Sequence, residues 1–396
     1  MLHKIAVKED KKEMKDLSQA CVKLPPHGVR EIMVRSARIP NAIHLEVGEP
    51  NVDTPLHIRE AAVEAIHGGY TRYTHNLGLL SLREAIVKFL NKNYGLNLDV
   101  SQIVVASGAV TALAVSFLVL VEPGEEVLIP DPSWPDYEQK ILILGAIPRR
   151  YELRPEHEFL PVIDDLERLV TPKTKAILIN SPGNPTGAVF HEGKIKEILT
   201  FASRHDLYVI SDEVYDLIVY EGRHLCPMSY DKEGRVISIF GVSKNYAMTG
   251  WRIGYAVAPL NVAAVMEKAI EPLISCAPAI SQKAAEAAYN GPQDFVEEMC
   301  KIYKERRDKV FDIFTGAKVK AYKPKGAFYM LIDLSETGLP PEETSLRLLE
   351  EEQVAVAPGK TFGPSCQKMI RISLATEDAE LIEGAKRICK FIERYR

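Results

Sequence analysis

The stretch VISIFGVSKNYAMTGWRIGYAVAP, residues 236–259, joins two apolar runs through a lysine, an arginine and three glycines. Its first run is rich in Val and Ile and does not alternate with polar residues, the pattern of a strand covered on both faces. Lysine is rarely buried without a partner, so Lys244 reads either as a surface residue just past a strand or as an amine put to use. Desolvation beside another cation lowers a lysine's pKa and frees the neutral amine that a Schiff base requires. Arg252 is a candidate neighbour, although its planar fork is better suited to clamping an anion. Gly250 and Gly254 would let the backbone approach a bulky ligand closely.

Outward from this stretch the same pattern repeats. QIVVAS (102–107), EEVLIPD (125–131), TKAILIN (174–180) and DLYVISDE (206–213) read as strands, and GKIKEILTFASRH (193–205) shows the i, i+3, i+4 spacing of an amphipathic helix. Strands alternating with helices predict a largely parallel sheet covered on both faces, with ligands at the carboxyl ends of the strands. Beyond about residue 261 the character changes. A helical pattern expected to break near Pro272 and Pro278 leads to QKAAEAAY and DFVEEMCKIYKERRDKVFDIF, then to the strand candidates GAFYMLIDL and KMIRISLA around a helical PEETSLRLLEEE. The expected organisation is a large domain over 49–285, a smaller α+β domain over 286–396, and an N-terminal segment, 1–48, packing on the small domain.

Bulk properties narrow the function. At 396 residues the chain exceeds what one core usually serves. A net charge of −5, without a long basic block, argues against a nucleic-acid partner but not against a small anionic ligand. The cysteines, Cys21, Cys226, Cys276, Cys300, Cys366 and Cys389, form no CxxC pair and read as reduced thiols rather than a zinc site or disulfide frame. The charged N-terminus does not resemble a secretory signal, and the apolar run at 111–121 is too short to span a bilayer. A cytoplasmic location with no membrane partner is expected.

Further blocks end strands in residues suited to chemistry. Asp212 closes an apolar strand and reads as a helix N-cap or turn residue, or as a carboxylate put to use at the strand's end; Tyr215 follows three residues later, as a core tyrosine or a hydroxyl donor. INSPGNPTG places Asn184 in a turn rich in Pro and Gly. Ser107-Gly108 leads from a strand into a helix, an ordinary turn or an anion site made of amides. Trp134 lies in the proline-framed turn PDPSWPDYEQ. Arg371 interrupts an apolar strand, MIRISLA, as an edge residue or as a guanidinium awaiting an anion.

GVSKNYAMTGWRIG resembles the pyridoxal-phosphate attachment motif of the class I/II aminotransferases of fold type I (aspartate-aminotransferase-like), and the other blocks follow in that family's order from about residue 28 onward. The resemblance implies an α/β fold in which a mostly parallel seven-stranded sheet lies between helices, plus the smaller α+β domain. It implies that Lys244 holds pyridoxal 5′-phosphate as a Schiff base and later acts as general base, with Asp212 on the ring nitrogen. Tyr215 and Asn184 would meet the phenolate, and Trp134 would stack on the ring. Ser243, Arg252 and the amides of Gly108, Ala109 and Val110 would hold the phosphate. Arg371 and Gly48, in VGEP, would meet the substrate. Tyr73, in YTRYTHNLG, would reach the phosphate of a neighbouring subunit in a homodimer. The chain departs from the family at Gly241, where many relatives carry serine, and around Tyr73, where the usual pattern is Tyr-Thr-Pro.

The expected activity is transfer of an amino group from an L-amino acid to a 2-oxo acid, 2-oxoglutarate or pyruvate. A carbon–sulfur β-lyase would use the same residues, and a pyridoxal-binding regulatory protein is a further alternative. A nicotinamide dehydrogenase lacks support because no GxGxxG follows an early strand. Some aspartate-using relatives carry a lysine at the position of Val110, which reads a distal carboxylate; valine cannot, so a neutral, aromatic or broad donor range is expected.

Overall fold

The computed structural model describes residues 15–25 and 28–396. Seven strands form the central sheet: β1 (Ile103–Ala106), β2 (Glu126–Asp131), β3 (Ile147–Glu152), β4 (Thr174–Asn180), β5 (Tyr208–Asp212), β6 (Val236–Gly241) and β7 (Gly254–Val257). Their spatial order is β1-β7-β6-β5-β4-β2-β3. Only β7 runs against the others, so the sheet is mostly parallel, as expected of this fold class.

The non-alternating runs have a direct cause. Every residue of β1, β2 and β6 is buried, because successive side chains enter different cores. Ala176 and Leu178 join Val127, Ile129, Ile210 and Ile239 on one face. Ile177 and Ile179 join Leu128, Val209 and Phe201 on the other. Helix Glu192–Arg204 covers this second face with Ile195, Ile198, Phe201 and Ala202. The edge strand β3, with one face toward solvent, instead alternates in exposure.

The break expected near Pro272 and Pro278 is present: helix Leu260–Ile274 ends two residues past Pro272, and helix Ala279–Asn290 starts after Pro278. A proline so near a helix end forfeits one hydrogen bond without ending the helix earlier. Helix Ala279–Asn290 spans the division anticipated at 285/286 and packs on helices Leu56–His67 and Leu80–Tyr94.

A second, antiparallel sheet contains β8 (Ala321–Tyr322), β9 (Tyr329–Asp333), β10 (Ala357–Pro358) and β11 (Met369–Ser373), in the order β10-β11-β9-β8. Helices Asp294–Gly316 and Asp378–Tyr395 pack together behind it, sharing a core that includes Tyr303, Phe314, Ile370, Ile372 and Phe391. Ile370 and Ile372 face that core, so strand alternation turns Arg371 to the opposite face. Ile43–His44 pairs in parallel with Val354–Ala355. Helix α1 (Gly28–Ser36) packs Ile32 on Leu349 and Ala355, and Val29 on Ala357 and Phe362. Residues 1–14 and 26–27 of the segment 1–48 lie outside the described residues. Among the described residues no helix is long and apolar enough to cross a membrane.

Candidate active site

The register of the large sheet brings several chain turns to one rim. Gly254, which opens β7, lies opposite Ala106 at the end of β1 and opposite Gly241 at the end of β6; Asp212, which ends β5, lies opposite Asn180 at the end of β4. Around this rim lies a cavity of roughly 260 Å³, reached by Arg371 from the small sheet and by Val29 and Met33 from α1.

One corner is built for an anion. Helix α2 (Ala109–Leu120) begins there, with Gly108 as its N-cap and no side chain capping its first amides, so its free N–H groups and positive dipole end face the cavity. Arg252 folds over the same turn: a Cβ on Gly108, whose φ is 88°, would meet Arg252 Nη2 at 2.6 Å. Arg252 Nη1 donates to the Thr249 carbonyl at 2.8 Å. Gly254 is required by close packing, since a Cβ there would stand 2.2 Å from the Ala109 nitrogen. Ala109, Val110 and Ser243 line this corner.

Lys244, in the short helix α3 (Val242–Asn245), donates its ammonium to the Gly48 carbonyl at 2.7 Å. Burial pulls its pKa down to about 8, against the attraction of Glu49 and with the help of Arg371 and Arg252. Asp212 is buried and accepts from the Tyr137 hydroxyl at 2.5 Å and from the Val214 amide at 3.3 Å. Burial pushes its pKa up to about 6, while the Tyr137 hydrogen bond opposes the rise. An amine and an acid whose pKa values are drawn toward neutrality thus line one cavity.

Arg371 supplies the third charge. It is 4 % exposed, with its guanidinium 4.2 Å from the Tyr329 ring centroid and 4.9 Å from that of Phe362. Nη1 donates to Asn184 Oδ1 at 3.1 Å and Nη2 to the Glu46 carbonyl at 2.5 Å. Nε is buried without a partner, a donor set aside in a place where an unmade bond is costly. The Tyr215 and Tyr329 hydroxyls share a hydrogen bond at 2.9 Å, and burial raises the pKa of both. Gly48 leaves room for this pair, because a Cβ there would meet Tyr329 Oη at 2.2 Å.

Of the residues singled out in the sequence, Gly48, Ala109, Val110, Trp134, Asn184, Asp212, Tyr215, Ser243, Lys244, Arg252 and Arg371 line the cavity, and Gly108 abuts Arg252 at its edge. Trp134 meets Tyr137 edge-on, at 5.4 Å between centroids. Tyr73 stands apart from the cavity and is 87 % exposed.

Sequence reasoning missed Tyr137, Tyr329, Phe362 and Glu46. Tyr137 lies three residues after Trp134 at helical spacing and could have been noticed; the others reach the site only through tertiary packing. It also missed a buried tie behind the site. Asn245 Nδ2 donates to Asp216 Oδ1 at 2.6 Å, and the Tyr94 hydroxyl donates to Asp216 Oδ2 at 2.5 Å. This links the turn carrying Asp212 and Tyr215 to the helix carrying Lys244.

The chain is similar to known proteins over most of its length. The family described as aminotransferase class I and II matches residues 40–388. An aspartate aminotransferase of Pyrococcus horikoshii is 38% identical over 370 residues, 92% of this chain and 94% of that protein. An aromatic-amino-acid aminotransferase of Thermococcus litoralis is 37% identical over 382 residues, 95% and 98% of the two chains. Among solved structures, the aspartate aminotransferase of Thermus thermophilus with maleate superposes with a TM-score of 0.91 at 33% identity, covering 96% of this chain and 100% of that one.

Proposed function

The chain belongs to the class I and II aminotransferase family and is a transaminase; from that premise we propose that it uses pyridoxal 5′-phosphate held through Lys244, and that its substrates are an L-amino acid and a 2-oxo acid, 2-oxoglutarate or pyruvate. The residues present fit the cofactor. An amine pulled toward neutrality suits its aldehyde, a buried carboxylate suits its ring nitrogen, and an uncapped helix start beside a guanidinium suits its phosphate. When bound, pyridoxal phosphate supplies an electron-accepting ring that stabilises negative charge at the substrate Cα.

In this reading the chain's own groups divide the work. Arg252, Ser243 and the amides of Ala109 and Val110 hold the phosphate, whereas the Gly108 amide, also expected there, already donates to the Ala106 carbonyl at 2.7 Å. Asp212 carries the negative charge that keeps the ring nitrogen protonated, and Tyr137 keeps that carboxylate ionised. Asn184 presents its carbonyl oxygen to Arg371, which leaves its amide NH2 for the phenolate oxygen, where Tyr215 also donates. Trp134 would cover a face of the ring. Arg371, beside Gly48, takes the substrate α-carboxylate with its unused N–H groups and so orients the Cα–H bond. Lys244 would take the Cα proton as general base and deliver it as general acid.

The observation that carries the reading is that Lys244, Asp212 and Arg371 line one cavity. We further propose a homodimer in which Tyr73 serves the partner's site. Leu56, Val63 and Ile66 on one helix, with Tyr70 and Tyr73 beyond it, support this as exposed large apolar side chains near one another in sequence. A cytoplasmic location suits the spread of unpaired thiols. The test is to add single amino acids, then single 2-oxo acids, to purified protein carrying pyridoxal phosphate and to follow its absorbance and the products. Transamination that is lost in Lys244→Ala is expected. Pyruvate released from cystathionine without any 2-oxo acid, and no transamination, would overturn the reading.

A further inference from the structure

Asp212 and Glu213 are consecutive at the end of β5, where the Glu213 amide still donates to the Ile239 carbonyl at 2.8 Å. Extended backbone sends neighbouring side chains to opposite sides. Asp212 lines the cavity, whereas Glu213 lies behind it and is 0 % exposed. Its Oε2 meets His224 Nε2 at 2.6 Å, and its Oε1 accepts from the Cys226 thiol at 3.7 Å. Beside this pair sits a second buried carboxylate, Asp216, with its donors Tyr94 and Asn245. His224 is buried too, edge-on to the Tyr94 ring at 5.4 Å between centroids.

Two carboxylates and one imidazole thus share a dry space directly behind Asp212. A buried carboxylate is costly without a counter-charge. Among the described residues no lysine or arginine pairs with Glu213 or Asp216, and His224 is the neighbour that can carry positive charge. The other titratable side chains facing this space are Tyr94, Cys226, Tyr246, Tyr255 and Tyr289. Burial raises the pKa of each, so all five are neutral near pH 6. On the loop of His224 itself, Glu221 and Arg223 are exposed. Burial pushes the pKa of Asp216 up to about 6, and the attraction of His224 opposes the rise. The charge of Glu213, in turn, helps to raise the pKa of Asp212.

We propose that His224 is a positioning residue: as an imidazolium paired with Glu213 it cancels the charge behind Asp212, and so keeps both Asp212 and Asp216 ionised. The inference rests on the assignment of Asp212 to the cofactor's ring nitrogen in the reading above. Without the positive charge, Glu213 is a bare anion one residue from Asp212 and repels its ionised form. Asp216 then gains a proton more readily and accepts less strongly from Asn245, the neighbour of Lys244.

The test uses the intact protein and two readouts. The first is nitrogen NMR of histidine-labelled holoprotein at about pH 6, the range in which Asp212 titrates. The His224 signals are identified by their displacement in Glu213→Gln or their loss in His224→Gln, and both ring nitrogens are expected to carry protons. A His224 ring with one bare nitrogen at that pH would overturn the proposal. The second readout is equilibrium binding of pyridoxal phosphate against pH in a charge cycle. His224→Gln should move the acid limb of binding to higher pH by about half a unit or more, roughly threefold in affinity on that limb. Glu213→Gln should move it to lower pH. The double variant carries neither charge and should return close to the native limb, a rescue that a pair holding shape alone would not give. A double variant no better than His224→Gln would overturn the proposal. Tyr137→Phe, which alters a direct contact of Asp212, is the control. If it moves the limb and His224→Gln does not, the proposal falls and the reading of the site stands; if neither moves it, the assignment of Asp212 falls as well.

Discussion

Replacing Arg371 by lysine keeps one positive charge and removes the planar fork. In the native site Nη1 and Nη2 are anchored on Asn184 and on the Glu46 carbonyl, and Nε is buried without a partner. A lysine ammonium is a point donor on a flexible stem and cannot keep both anchors while gripping a carboxylate from two sides. At least one charge-assisted hydrogen bond to the substrate is lost, worth about 1.5–3 kcal/mol. With each 1.36 kcal/mol worth tenfold in rate, kcat/KM should fall by about 10- to 150-fold. The assay is the half-reaction with an amino acid and, in parallel, with the amine that lacks its carboxylate. Only the amino acid should discriminate between native and Arg371→Lys protein. Equal losses for both donors, or a loss below about threefold for the amino acid, would refute the assignment of the α-carboxylate to Arg371.

Lys244 makes a stability prediction with a definite sign. Its pKa is drawn from 10.5 to about 8 on folding, so between these values the unfolded chain binds more protons and this residue's contribution to stability rises with pH; below pH 8 the buried charge is a full penalty. Cofactor-free Lys244→Met should therefore be more stable than native protein at pH 7, by about 1–3 kcal/mol, with the gain vanishing near pH 10.5; denaturant unfolding at the two pH values measures it, and no gain at pH 7 contradicts it. Tyr137→Phe removes the hydroxyl that holds Asp212's pKa down against burial, so the acid limb of pyridoxal-phosphate binding should move to higher pH by about one unit, read by spectroscopic titration. Gly254→Ala sets a Cβ 2.2 Å from the Ala109 nitrogen and must displace the first turn of α2. Cofactor affinity should fall about tenfold or more in equilibrium dialysis, and unchanged affinity would contradict the anion corner at that helix start.

What could be read in the sequence was whatever is local. The runs VISIFG and AILIN announce buried strands because each side chain finds a core on its own side, and a strand's end fixes where Asp212 and Lys244 emerge. Gly108 and Gly254 are likewise local in identity, yet their reason, an arginine and a helix turn within 3 Å, lies in the packing. Tyr329 was invisible for the same cause: its hydroxyl meets Tyr215 across 114 residues of chain, and nothing in GAFYMLIDL distinguishes that tyrosine from a core one. The Asp216–Asn245 tie looked like two ordinary polar residues beside more conspicuous neighbours.

Borohydride reduction of the holoprotein followed by peptide mass mapping addresses the central claim most directly, because it reports which amine is joined to the cofactor. The reduced cofactor's mass should appear on the peptide containing Lys244 and vanish in Lys244→Ala. Protein that retains bound pyridoxal phosphate yet yields the mass on another lysine, or on none, would contradict the account.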